Sequence, residues 1–222
     1  MDKDSPSDIK ELIYTHRLIS VIRGDFSLEE VLAISEALTK GGIRILEITL
    51  NTPSALEAIN ALKKQADASL IIGAGTVRTA TDVQNAVDAG ASFCIAPCFD
   101  LPSVEAAQAH RVLHIPGIFT ATEAQAAYRA GCKTVKLFPA EALGPKYIKT
   151  LRAPLDHIDF IPSGGVDVST LAAFHDAGAV AFSVGSALVK NIKVTELELS
   201  QLTQRAQALY HALKNIHPYA NV

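Results

Sequence analysis

Along the chain, hydrophobic and polar positions repeat one unit: a short apolar run, a polar turn, then an Ala-rich segment that ends in glycine. Apolar runs fall at 18–22, 44–49, 70–74, 92–96, 112–115, 134–138, 158–161 and 180–184. Each has the length of a buried strand. The segments between them carry helix signals. Gly41-Gly42, Gly90, Gly131 and Gly178 stand where helices end, since glycine takes the left-handed C-cap without a Cβ penalty. Ser27 and Glu30 form a capping-box pattern. The stretches 120–123 and 167–171 read as two more helix starts, and Pro53 and Pro102 sit where first helical turns are expected. Strands alternating with helices of about 10–15 residues predict parallel pairing through right-handed crossovers. Eight such units predict an α/β chain folded as a single (β/α)8 TIM barrel domain over residues 1–222. An extra N-terminal helix is expected over 1–17 and a long final helix over 194–215. No linker or low-complexity segment divides the chain.

Alternation within the strands assigns faces, because successive side chains point to opposite sides. In 134–138, Val135 and Leu137 share the face suited to helix packing, so Thr134, Lys136 and Phe138 point into the barrel. In 45–51, Leu46, Ile48 and Leu50 face outward, leaving Glu47, Thr49 and Asn51 inside. A lysine and a glutamate thus project into one interior. Ionised groups are costly to desolvate unless paired. The plain alternative is a buried ion pair, which adds little net stability. The chemical reading is a nucleophilic amine, since lysine forms Schiff bases with carbonyl substrates. Lys133 falls on the other face and is expected in solvent.

Strand carboxyl ends, where barrel active sites lie, collect further candidates. They are Arg23, Thr76 and Pro97, then Ser163-Gly164-Gly165 after the seventh run and Gly185-Ser186 after the eighth. Glycine turns at the last two strands of such a barrel expose backbone N–H groups suited to phosphate.

Composition narrows the class. About half of the 222 residues are apolar (49%), enough for a large core, and the formal charge is −3 from 23 acidic and 20 basic side chains. That balance points to neither nucleic acid nor an anionic membrane as partner. No apolar run reaches transmembrane length. The polar, mildly acidic residues 1–10 lack a signal-peptide pattern, so a cytoplasmic location is expected. Three cysteines, Cys94, Cys98 and Cys132, make no disulfide framework. Cys94, Cys98, His110 and His114 come near a Cys2His2 zinc spacing. The segment 112–115 reads as a strand, where residues four apart lie about 13 Å from each other. Small core cysteines and no metal are expected.

These features together resemble the 2-keto-3-deoxy-6-phosphogluconate (KDPG) aldolases, which include 4-hydroxy-2-oxoglutarate aldolases. The resemblance spans roughly residues 18–190. It is carried by Val21-Ile22-Arg23, the stretch 41–50, Gly73-Ala74-Gly75-Thr76, Pro116-Gly117, Lys136-Leu137-Phe138-Pro139-Ala140-Glu141, Pro162-Ser163-Gly164-Gly165 and the stretch 184–189. It implies a Schiff-base lysine at Lys136 and an acid/base glutamate at Glu47. It further implies that Thr76 binds the pyruvate part, that Phe138 and Pro97 wall the pocket, and that phosphate lies on Gly164, Gly165, Gly185 and Ser186. A phosphorylated keto-acid substrate, a homotrimer and no cofactor are implied as well. This chain departs from the family's pattern at two positions. Asn51 stands where many members carry arginine, so the resemblance assigns the substrate carboxylate to Arg23. Ser163 stands where threonine is frequent, near the sugar chain. Asn51-Thr52-Pro53 is also similar to the relatives that act on the galactonate epimer. The competing classes are a phosphosugar isomerase or epimerase barrel and a non-catalytic phosphometabolite-binding barrel, neither of which uses an imine.

Overall fold

The computed structural model describes residues 5–65, 70–189 and 192–216. Helix α1 (Pro6–His16) leads into β1 (Leu18–Ile22). Then come α2 (Leu28–Lys40), β2 (Ile45–Thr49), α3 (Ala55–Gln65), β3 (Ile71–Gly75), α4 (Ala80–Asp88), β4 (Phe93–Ile95), α5 (Leu101–Ala109), β5 (Leu113–Ile115), β6 (Gly117–Ile118), α6 (Ala121–Arg129) and β7 (Thr134–Leu137). After a 3-10 turn (Ala140–Ala142) follow α7 (Gly144–Arg152), β8 (Asp159–Pro162), α8 (Leu171–Asp176), β9 (Phe182–Val184), α9 (Ser186–Val189) and α10 (Glu196–Lys214).

Strand pairing is parallel throughout the described ladders. One sheet has the order β5-β4-β3-β2-β1-β9 and a second the order β6-β7-β8. Isolated parallel bridges join Phe160 to Ala179 and Ser163 to Ser183. The result is an α/β fold around a curled parallel sheet, with helices on its outer face. Where one fifth strand is expected there are two pieces, and the break is at Pro116. Proline has no N–H to give to a ladder, but its carbonyl accepts from the Lys136 N–H at 2.9 Å. The chain therefore leaves β4 on one side of Pro116 and joins β7 on the other.

Local chemistry explains the helix ends. Ser27 and Glu30, and Thr120 and Glu123, form reciprocal capping boxes. Gly42, Gly90, Gly131 and Gly178 adopt φ of 95°, 94°, 91° and 104° just past helices. Pro102 occupies the first turn of α5, but Pro53 does not begin α3. Thr52 donates its N–H to the Thr49 carbonyl at 2.8 Å and Ala55 donates to Thr52 at 3.0 Å. These successive turns hold Pro53 outside the helix. The 167–171 stretch is mostly turn as well: Asp167 accepts from the Ser169 and Thr170 N–H groups, and α8 starts only at Leu171.

Two apolar clusters flank the sheet. The outer one joins helices to outward strand residues, Leu46, Ile48, Val135 and Leu137 among them. The inner one holds Ile19, Ile45, Ile71, Phe93, Ile95, Ile115 and Ile161, with Ile9 and Ile13 of α1 packed on it. Helix α1 thus covers the amino-terminal end of the strands. Burial of each isoleucine stabilises the fold by roughly 2–3 kcal/mol. Tyr14 pins the helix there: its hydroxyl lies 2.6 Å from Thr134 Oγ1 and donates to Asp159 Oδ2 at 2.7 Å. Residues 1–4 of the expected N-terminal helix lie outside the described residues.

Candidate active site

The same alternation that buries Ile45 aims Glu47 and Thr49 into the interior one and two steps further along β2. On β7, Val135 and Leu137 pack outward, so Lys136 points in. The two strands lie across the interior from each other, and their side chains meet: Lys136 Nζ is 3.8 Å from Glu47 Oε1. Glu47 is 1% exposed and Lys136 7%. Lys133 is exposed, as the parity of β7 requires.

The pair sits in a cavity of about 500 Å³ at the carboxyl ends of the strands. Neither carboxylate oxygen of Glu47 has a hydrogen-bond partner. A buried carboxylate held only by an ion pair has spare acceptor capacity, so it can take a proton or orient a hydroxyl. The Lys136 ammonium lies 5.2 Å from the centre of the Phe138 ring, which forms a wall of the same cavity. Glycine makes room for the carboxylate: a Cβ at Gly75 would collide with it.

The cavity gathers most of the residues named from sequence. Arg23 reaches it from the end of β1 with its side chain exposed to solvent. Thr49 lines it too, and its hydroxyl donates to the Ile22 carbonyl at 3.3 Å. Thr76 lines it from the end of β3 with φ of 59°. A β-branched residue is strained in that left-handed region, and such strain clusters at functional sites. Ser163, Gly164 and Gly165 follow β8, and Gly185 and Ser186 follow β9, all on the cavity rim. Gly164 and Gly165 have φ of 96° and 69°.

Two of the named residues lie elsewhere. Asn51 is exposed beyond the end of β2 and does not line the cavity. Pro97 is also absent from the lining, and its backbone packs so tightly on Gly117 that a Cβ there would collide with it. The cavity also holds residues that were not candidates from the sequence, Val21, Glu141 and Ser183 among them. Val21 and Ser183 were accessible from strand alternation. Glu141 belongs to the quoted motif, and its position beside Gly165 depends on the turn that follows β7.

Cys94 and His114 are buried on adjacent strands, whereas Cys98 and His110 are exposed in the connections. Among the described residues no three His, Cys, Asp or Glu side chains cluster as a metal site. No described helix is long and apolar enough to cross a membrane.

Fold and site define a parallel α/β protein with an inward lysine–glutamate pair at the carboxyl ends of its strands. Residues 9–205 match the aldolase family described as KDPG and KHG aldolase, and the chain belongs to that family. A 2-dehydro-3-deoxy-phosphogluconate aldolase of Treponema pallidum is 36% identical over 200 residues, 90% of this chain and 94% of the relative. A probable 2-dehydro-3-deoxy-6-phosphogalactonate aldolase of Rhizobium meliloti is 36% identical over 174 residues, 78% and 82% of the two chains. A crystal structure of the Legionella pneumophila KDPG aldolase, with pyruvate captured as a covalent carbinolamine, is 28% identical with a TM-score of 0.79, covering 92% of this chain and 97% of that one.

Proposed function

We propose that the protein is a class I aldolase, a carbon–carbon lyase that cleaves 2-keto-3-deoxy-6-phosphogluconate to pyruvate and glyceraldehyde 3-phosphate. The observation that carries this reading is the buried Lys136–Glu47 pair, 3.8 Å apart in the strand-end cavity. Lys136 is the nucleophile. Its neutral amine adds to the C2 carbonyl, and loss of water gives an iminium. Glu47, through a water, takes the proton of the C4 hydroxyl. The C3–C4 bond then breaks, its electrons pass into the iminium, and the aldehyde leaves. Proton return to C3 and hydrolysis release pyruvate and restore the amine. A positioned acid/base contributes about 10²–10⁴-fold to such a step.

Arg23, exposed at the cavity, pairs the substrate carboxylate, since a guanidinium can do so with two hydrogen bonds. Thr76 flanks the pyruvate end. The turns at Gly164-Gly165 and Gly185-Ser186 take the phosphate through backbone N–H groups. Neither a metal nor another cofactor enters this scheme. A closed (β/α)8 barrel is supported by the chain's passage from β5 to β6 and by the bridges from β8 to the β9 side. A cytoplasmic homotrimer is part of the same reading.

Incubation with pyruvate and borohydride tests the chemistry. An irreversible adduct on Lys136 is expected, and a protein that gains no mass there is not this kind of aldolase. The galactonate epimer is a second candidate substrate, because the relative named for it matches as closely in identity as the one named for the gluconate compound. Pyruvate release from both 6-phosphate epimers and from 4-hydroxy-2-oxoglutarate, measured side by side, distinguishes them.

A further inference from the structure

Among the described residues, the cavity is lined by two side chains whose buried polar atoms lack a hydrogen-bond partner. One is Glu47, and the other is Ser183. Ser183 is 1% exposed. Its direction is settled by its neighbours: Phe182 and Val184 both pack into the outer, helix-facing cluster, so the residue between them faces inward. Along β9 the inward positions climb from Ala181 in the inner core, through Ser183, to Gly185 on the cavity rim. Ser20 also has an unpartnered buried hydroxyl, but it lies between inward Ile19 and cavity-lining Val21 and so points away from the cavity.

A buried hydroxyl without a partner calls for one. Alanine would fill the same strand position without a polar atom to satisfy. The place of Ser183 suggests what the partner is. A parallel bridge sets it beside Ser163, which leads into the Gly164-Gly165 turn, and Ser183 itself lies one inward position below Gly185 on its own strand. Given the proposed function, those turns hold the phosphate and Lys136 holds the pyruvate half. What passes between them is the hydroxyl-bearing part of the aldehyde half. We infer that Ser183 is a specificity-determining residue that hydrogen-bonds the hydroxyl of the aldehyde half of the substrate.

The test runs the reaction in the direction of carbon–carbon bond formation, with pyruvate as donor. Two acceptors are compared: glyceraldehyde 3-phosphate and its 2-deoxy analogue, 3-phosphooxypropanal. The unaltered protein should prefer the hydroxylated acceptor by about tenfold or more in kcat/KM, the scale of one specific hydrogen bond. In Ser183→Ala that preference should fall to within about threefold, and in the nearly isosteric Ser183→Cys it should be intermediate. A preference that is the same in the variants as in the unaltered protein, or no preference at all, overturns the inference. Borohydride trapping of pyruvate on Lys136 in each protein reads the aldolase chemistry separately. Adducts with unchanged acceptor preference sink the role of Ser183 alone, and absence of the adduct from the unaltered protein sinks the proposed function with it.

Discussion

The carboxylate of Glu47 occupies the space that a Cβ on Gly75 would fill. The two residues belong to adjacent strands, with Thr49 opposite Gly75 in the ladder. The missing side chain on β3 therefore lets the acid of β2 lie flat toward Lys136. Gly75→Ala should push the carboxylate away from the amine. Misplacement by about 1 Å costs on the order of 10²-fold in turnover. Pyruvate trapping on Lys136 should fall much less. Steady-state turnover and adduct mass on the same preparation check this, and equal losses in both would show that the collision disrupts the whole site.

Removing one partner of the buried pair strands the other. Lys136→Met should abolish turnover and also lower stability by about 3 kcal/mol, because Glu47 is left as an uncompensated buried charge. Adding Glu47→Gln should recover part of that loss without restoring turnover. Urea denaturation of the single and double variants measures the coupling.

Tyr14 is expected to act on stability alone. Its hydroxyl joins Thr134 and Asp159 at the end of the strands covered by α1. Tyr14→Phe should cost about 1–3 kcal/mol through the acceptor it leaves behind, with kcat/KM unchanged. Burial holds this phenol well above the ordinary tyrosine range, opposed by the hydrogen bond to Thr134. The folded chain therefore keeps the proton when the unfolded chain loses it, and stability should decline as pH rises above about 10. That decline should be weaker in the Phe variant.

A second pH dependence comes from His114. Burial pushes its imidazole down to about 4 from 6.5, with the charge of Asp100 pulling the other way. Neither ring nitrogen has a partner. Between these values the unfolded chain binds the proton and the folded chain does not. Stability from this residue is full above pH 6.5 and is lost as pH falls toward 4, by about 3 kcal/mol in all. Chemical denaturation at intervals from pH 7 to pH 5 should show that slope, and His114→Leu should flatten it.

Alternation and capping were local enough to be legible in the chain itself. The parity of two short strands places Lys136 and Glu47 on one interior and Lys133 in solvent, because side chains alternate wherever a strand forms. Serine, threonine and glycine mark helix ends because their effects act within one turn. Pro53 shows the reach of that logic: it satisfies the rule for a helix start, yet two backbone turns that begin at Thr49 keep it outside α3. What only the tertiary structure decided is everything set by register between distant segments. It fixed the 3.8 Å approach of Lys136 to Glu47, the change of strand partner at Pro116 and the seat of α1 across the strand ends. It also set Asn51 outside the cavity and Ser183 within it. The physical reason is that a strand's own pattern selects which face a side chain takes, whereas its height along the neighbouring strand is chosen by packing across the whole sheet.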